Sequence, residues 1–337
     1  MIIRITVKEW PRLFLALFIA TVLATCGEVT ELTTTENGQS EPEVSLGYTR
    51  INEPNENDPL DAHIFELDNG LRVYLTENHE EPRFYAEIAV RAGSKHDPAD
   101  GTGLAHYLEH LLFKGNENLG TLNYEAEKPY LDEIVELYEQ HFVETDEDRR
   151  AEIYSEINRV AQRAAEFAVP NEIDKLYNSM GGSGLNAHTW YEETVYKVGL
   201  PSNRLHQWAE IESDRFVNPV FRLFHTELET VYEEKNRTLD NGGRIIGTAI
   251  DELLYKIHPY GQQPTIGTVD HLKNPSLVYI QDYFDIYYVP NNMGIFISGD
   301  INIEETIALI SDEFSRWEAK EIPEVGTTVF RPPYTPV

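Results

Sequence analysis

Gly103-Leu104-Ala105-His106-Tyr107-Leu108-Glu109-His110-Leu111-Leu112 is the stretch on which the reading of this chain turns. Along an α-helix residues advance about 100° each, so two residues four apart stand one turn apart and about 40° from each other. With His106 at 0°, His110 falls near 40° and Glu109 near 300°, while Leu104, Ala105, Leu108, Leu111 and Leu112 fall between about 140° and 260°. The aliphatic side packs the helix, and two imidazoles and a carboxylate face the other way, toward a cleft. Two imidazoles suit zinc, and the carboxylate suits a general base acting on water. With 11 His in 337 residues, chance supplies His-x-x-Glu-His about 0.04 times, so the run reads as a metal site rather than as core histidines.

A catalytic zinc takes three protein ligands and leaves a fourth position open. A helix is expected over 221–240, with Phe221, Phe224, Leu228, Val231, Tyr232 and Leu239 as its core stripe. On its wheel Glu227 and Glu234 fall near 240° and 220°, beside that stripe, and Glu229 and Glu233 fall on the opposite flank near 80° and 120°. The wheel singles out the pair Glu227/Glu234 without choosing between its members.

Outward from this site, Asp68-Asn69-Gly70 is a turn signal between strand-like runs at 63–67 and 71–76, and 84–92 alternates as a third strand. A helix is expected over 104–114, closed by Gly115. An antiparallel helical pair is expected within 124–169, with Leu131, Ile134, Val135, Tyr138 and Phe142 at helical spacing in its first half. Strands at 185–190, 194–200 and 293–298 alternate with helices near 202–217, 221–240, 243–257, 275–287 and 302–318. The mixture predicts an α+β domain, a mixed or antiparallel sheet covered by helices on one face, carrying an inserted helical pair.

The N-terminus reads differently. Arg4, Lys8 and Arg12 precede an apolar run over 13–24 that is short for a membrane span, so 1–25 reads as a secretory signal. Cys26 follows it as the single cysteine, which excludes an internal disulfide and a cysteine metal site. Leu23-Ala24-Thr25-Cys26 resembles a bacterial lipoprotein box, with Thr25 where that pattern prefers Gly, Ala or Ser, and makes Cys26 the expected lipidation site. The protein is therefore expected to be exported to the periplasm and anchored by lipid to a membrane, the outer membrane for preference. Residues 26–59 are poor in large apolar groups and are expected to be a flexible acidic tether. The folded domain is expected over 60–320, and Pro-rich 321–337 reads as a linker. Against 27 Lys+Arg stand 58 Asp+Glu, a formal net charge of -31. Such a field repels phosphate backbones, so nucleic acid is excluded as a partner.

The run at 103–110, followed by Phe113-Lys114-Gly115, resembles the pitrilysin/insulysin/processing-peptidase family of inverted-motif zinc peptidases. Asn186-Ala187-His188-Thr189, Thr194-Val195-Tyr196, Tyr288-Val289-Pro290-Asn291-Asn292 and the two-glutamate helix at 227–234 extend the resemblance over about 62–318. It implies a zinc-dependent endopeptidase binding one Zn2+ per domain, with His106, His110 and Glu234 as ligands and Glu109 as base. Glu227 would orient a ligand from behind. Asn186 and Ala187 would lie on an edge strand that pairs with the backbone of a peptide substrate. The resemblance further implies a second homologous domain or subunit that closes the cleft. The chain ends near where a linker to that half would stand, so a fragment is favoured over a separate subunit. Two other readings stand beside this one: a non-catalytic lipoprotein subunit or scaffold partnering an active homologue, and a zinc-binding half that is folded but inert alone.

Overall fold

The structure, a computed structural model, describes residues 47–323 apart from 54 and 56. Seven strands form one sheet in the order β1-β2-β3-β7-β4-β6-β5. They are β1 (Tyr48–Arg50), β2 (His63–Leu67), β3 (Arg72–Glu77), β4 (Arg83–Val90), β5 (Ser183–Thr189), β6 (Thr194–Pro201) and β7 (Met293–Gly299). β3 and β7 run parallel and the other neighbouring pairs run antiparallel, so the sheet is mixed. The turn at Asp68-Asn69-Gly70 closes the β2–β3 hairpin, with Gly70 N–H donating to Leu67 O at 2.8 Å.

Alternation along the strands separates two faces. In β4, Phe84, Ala86, Ile88 and Val90 are buried while Tyr85 is 43% exposed. In β7, Ile295 and Ile297 are buried while Phe296 lies on the open face, stacked on Tyr74. The buried face meets helices: Phe84 contacts Trp208 of α5 (Leu205–Arg215), which contacts Phe314 of α11 (Ile303–Phe314). Full burial of each such large apolar side chain contributes about 1.5–3 kcal/mol.

The sheet begins earlier than composition suggests. β1 lies inside the stretch expected as tether, because Tyr48 pairs with Leu67 and sets its ring edge-on to Phe65. Asn52 then clips the chain to β2, accepting from Ile64 N–H and donating to Ala62 O. The secretory signal, Cys26 and most of the tether and linker lie outside the described residues. No helix among the described residues is long and apolar enough to cross a membrane.

The helical pair is α2 (Tyr124–Val143) and α3 (Glu147–Ala165), capped by Asn123 and Asp146. It packs behind α6 (Phe224–Leu239): Tyr138 contacts Phe224 and its hydroxyl bonds His225 Nδ1 at 2.8 Å. α6 starts three residues later than the apolar stripe predicts, because Leu223 sits in the left-handed region at φ 55° and cannot continue a helix. The remaining helices are α1 (Leu104–Leu111), α4 (Glu172–Ser179), α7 (Gly242–Leu254), the short α8 (Pro259–Gln262) and α9 (Val269–Leu272), and α10 (Leu277–Tyr287).

Candidate metal centre

α1 presents the site, and its two ends are shaped by glycines. Gly103 caps it at φ 88°, where an added Cβ would meet Gly267 Cα at 2.7 Å. Asp97 accepts the backbone N–H groups of Gly103 and Ala105 at 2.8 and 2.9 Å, satisfying the open first turn. At the other end the α-helix stops at Leu111 and a tighter 3-10 turn, Leu112–Lys114, follows before Gly115 at φ 91°. Leu104, Ala105, Leu108, Leu111 and Leu112 are buried, and His106 and His110 are half-buried on the other side. The Tyr107 hydroxyl donates to Phe224 O, which joins α1 to the start of α6.

That junction brings three ligand atoms together. One atom each from His106, His110 and Glu234 lie within 4.8 Å of one another, a grouping that could hold a metal ion. Glu234 Oε2 is 3.7 Å from His106 Nε2 and 3.8 Å from His110 Nε2. Glu227, two turns earlier on α6, stands behind: its Oε2 accepts from His110 Nδ1–H at 3.3 Å and its Oε1 pairs with Lys114 Nζ at 2.6 Å. The side chains of Glu229 and Glu233 are 69% and 71% exposed and stay out of the cluster.

Electrostatics differ between the two histidines. Burial, then the neighbouring His110, lowers the pKa of His106 to about 4, so its imidazole is neutral near pH 7. Burial also works against charge on His110, but the Glu227 bond and the carboxylates of Glu109 and Glu234 outweigh it and raise its pKa. Burial likewise opposes charge on Glu227, yet bonds from His110 and Lys114 hold its carboxyl below the ordinary range. His106 Nδ1 is buried without a hydrogen-bond partner.

Glu109 is 7% exposed, and burial lifts its carboxyl above the ordinary carboxylate range. The bond it accepts from Thr189 Oγ1, 2.6 Å to Oε2, works the other way and fixes its orientation. Thr189 closes β5, the last strand of the sheet among the described residues. Asn186 and Ala187 lie on the same strand, opposite Lys197 and Tyr196 of β6, with Asn186 exposed and Ala187 buried. His188 stands with Nε2 3.6 Å from Glu193 Oε1 and is not one of the three grouped ligands. Sequence reasoning assigned no role to Thr189 or Lys114, although both stand inside quoted motifs. Their partners are 80 and 113 residues away, and no local periodicity links them. A cavity of about 580 Å³ lies on the far side of α6, between the inserted pair and α10. Its lining includes Leu131, Ile134, Phe224 and His225 and none of the cluster residues, so the candidate site lies outside this cavity.

Two family models match the chain. The one described as Insulinase (Peptidase family M16) covers residues 72–134, which include His106, Glu109 and His110. The one described as Peptidase M16 inactive domain covers 278–337, which include no residue of the cluster. The probable zinc protease PqqL of Haemophilus influenzae is 26% identical over 306 residues, 82% of this chain and 28% of that protein. The zinc protease PqqE of Helicobacter pylori is 24% identical over 276 residues, 79% of this chain and 50% of that one. Among solved structures, pitrilysin superposes with TM-score 0.61 at 20% identity, over 84% of this chain and 26% of its own. The first half of the periplasmic protease PqqL from Escherichia coli superposes with TM-score 0.57 at 22% identity, over 77% of this chain and 47% of its own. The chain thus spans between about a quarter and a half of the length of these relatives.

Proposed function

We propose that this member of the pitrilysin/insulysin/processing-peptidase family, corresponding to the N-terminal half of its longer relatives, is the zinc-holding half of an endopeptidase acting on peptides or unfolded segments. The observation that carries the reading is the convergence of His106, His110 and Glu234 beside the buried carboxylate of Glu109. Ligands of a tetrahedral zinc stand about 2.0–2.1 Å from the ion and therefore about 3.4 Å from each other. The 3.7 and 3.8 Å separations between Glu234 and the two imidazoles need only a small contraction to reach that geometry. Two nitrogens and a carboxylate oxygen are also the donor set zinc prefers over calcium or magnesium.

When bound, zinc polarises the scissile carbonyl and makes a water molecule more acidic. The rest falls to the chain's own residues. His106, already neutral, offers its lone pair without first losing a proton. His110 turns Nε2 toward the cluster because its Nδ1–H is held by Glu227. Glu109, oriented by Thr189, takes a proton from the attacking water and returns it to the departing amine. Its raised pKa brings it nearer the value that serves both transfers. The edge of β5 at Asn186 and Ala187 receives the substrate backbone as an added strand, and a second homologous half closes the cleft over it. Cys26 ties the exported protein to a membrane by lipid. A purely scaffolding role is less well supported, since every position of the ligand set is filled.

The test pairs two variants in a peptide-cleavage assay run with the second half supplied. Glu109→Gln should keep zinc and lose cleavage, whereas His106→Ala should lose zinc itself. Turnover retained in Glu109→Gln would overturn the assignment of the base.

A further inference from the structure

We propose that Lys114 is a positioning residue of the metal centre: its ammonium locks the Glu227 carboxylate in the orientation that turns His110 Nε2 toward the ion. The inference rests on the zinc reading above and assigns a task to a residue outside the ligand set.

A carboxylate about its terminal torsion is free to rotate unless both oxygens are engaged. Here each oxygen of Glu227 has its own partner, Lys114 Nζ at 2.6 Å on Oε1 and His110 Nδ1 at 3.3 Å on Oε2. The side chains of Lys114 and Glu227 are each only 13% exposed, so water competes poorly for either oxygen. Without the ammonium, Oε1 would seek another donor and the carboxylate would rotate away from His110. The Lys114 bond is the shorter of the two, and it sets the plane in which the longer one can form.

The backbone at Lys114 is itself fixed. The 3-10 turn that ends α1 places Lys114 beside α6, and Arg222 Nη1 holds its carbonyl at 2.7 Å. Arg222 stands five residues before Glu227, so one segment anchors the lysine backbone and presents its carboxylate partner. Charge gives the second reason. Three carboxylates, Glu109, Glu227 and Glu234, act on His110, and Lys114 pairs with the one of them that is bonded to the histidine's Nδ1. His106 has no comparable arrangement, since its Nδ1 is unpartnered. The orientation of the site is therefore carried on His110, through Glu227 and Lys114.

Zinc affinity of the full chain, measured by competition with a chromophoric chelator, tests this without any peptide substrate. Lys114→Met should weaken zinc binding about tenfold, at the low end for groups that orient a ligand, and Lys114→Arg should recover most of it. In a Glu227→Gln background, Lys114→Met should weaken binding less than about twofold further, because the two residues act on one group. Unchanged affinity in Lys114→Met, or losses that multiply in the double variant, would overturn the proposal. Lys114→Gln, which keeps most of the bulk, replaces Lys114→Met if circular dichroism shows the latter unfolded. If the unaltered chain takes up no zinc, the metal reading itself falls. If it binds zinc and only the lysine variants are silent, that reading stands and Lys114 alone loses its role.

Discussion

Glu127→Ala should destabilise the fold sharply and loosen the metal centre with it. Glu127 on α2 and Arg222 just before α6 form an ion pair at 3.1 Å, with side chains 0% and 1% exposed. Deleting one partner of a buried pair costs about 3–5 kcal/mol, chiefly because the other charge stays buried without compensation. Arg222 would keep three carbonyls, those of Lys114, Asn116 and Leu119 at 2.7, 2.8 and 2.9 Å. These soften the loss and place the expected cost near the lower end, about 3 kcal/mol. With an unfolding entropy of about 2.1 cal/mol/K per residue, 337 residues lose about 1.4 °C of melting temperature per kcal/mol, which gives a fall of about 4 °C. Thermal unfolding of the metal-free chain followed by circular dichroism reads this directly. Glu127→Gln, which keeps the acceptor but not the charge, should fall between Ala and the parent. A drop below about 2 °C in Glu127→Ala would refute the reasoning, and the inserted pair would then be decoration and not a brace for α6.

The Thr189 bond to Glu109 is worth about 1.5–3 kcal/mol as a hydrogen bond to a charged group, so Thr189→Val should lower turnover by roughly ten- to hundredfold with zinc stoichiometry unchanged. The acid limb of its pH–rate profile should move upward, since the lost bond favoured the charged carboxylate; an unmoved limb would remove Thr189 from the site. A separate pH effect follows from His96, whose pKa burial lowers to about 4. Its Nδ1 lies 3.1 Å from Gly93 N and 3.2 Å from Gly93 O, and the bond to that carbonyl offsets only part of the effect of burial. The unfolded chain protonates this histidine below about 6.5 and the folded one only near 4, so its contribution is present above 6.5 and lost as pH falls between the two values. Urea midpoints at pH 7.0 and 5.0 should show the loss, and His96→Gln should flatten the slope; equal slopes would sink the assignment.

The resemblance to the pitrilysin/insulysin/processing-peptidase family is borne out, and so is the α+β fold with a mixed sheet. Long periodic elements were legible because their signals are local. The leucine side of α1, the apolar repeat of α2 and the β2–β3 turn each rest on residues within a turn or two of one another. Element ends were less legible. β1 was hidden because its strand is short and it is held by pairing with β2 and by the contact of Tyr48 with Phe65. α6 began late because of one left-handed leucine, and α1 ended in a tighter turn than a continuous helix would give.

By itself the sequence determined that His106, Glu109 and His110 share one face of a helix, since a 3.6-residue repeat and an apolar side suffice for that. It also narrowed the remaining ligand to two glutamates. Tertiary structure decided the rest: that β7 enters between β3 and β4, that Thr189 bonds Glu109, and that Lys114 and His110 divide the oxygens of Glu227 while Glu234 reaches both imidazoles. These are contacts between residues dozens to hundreds of positions apart. They come from the packing of α1 against α6 and the edge strand, which no periodicity within either segment encodes.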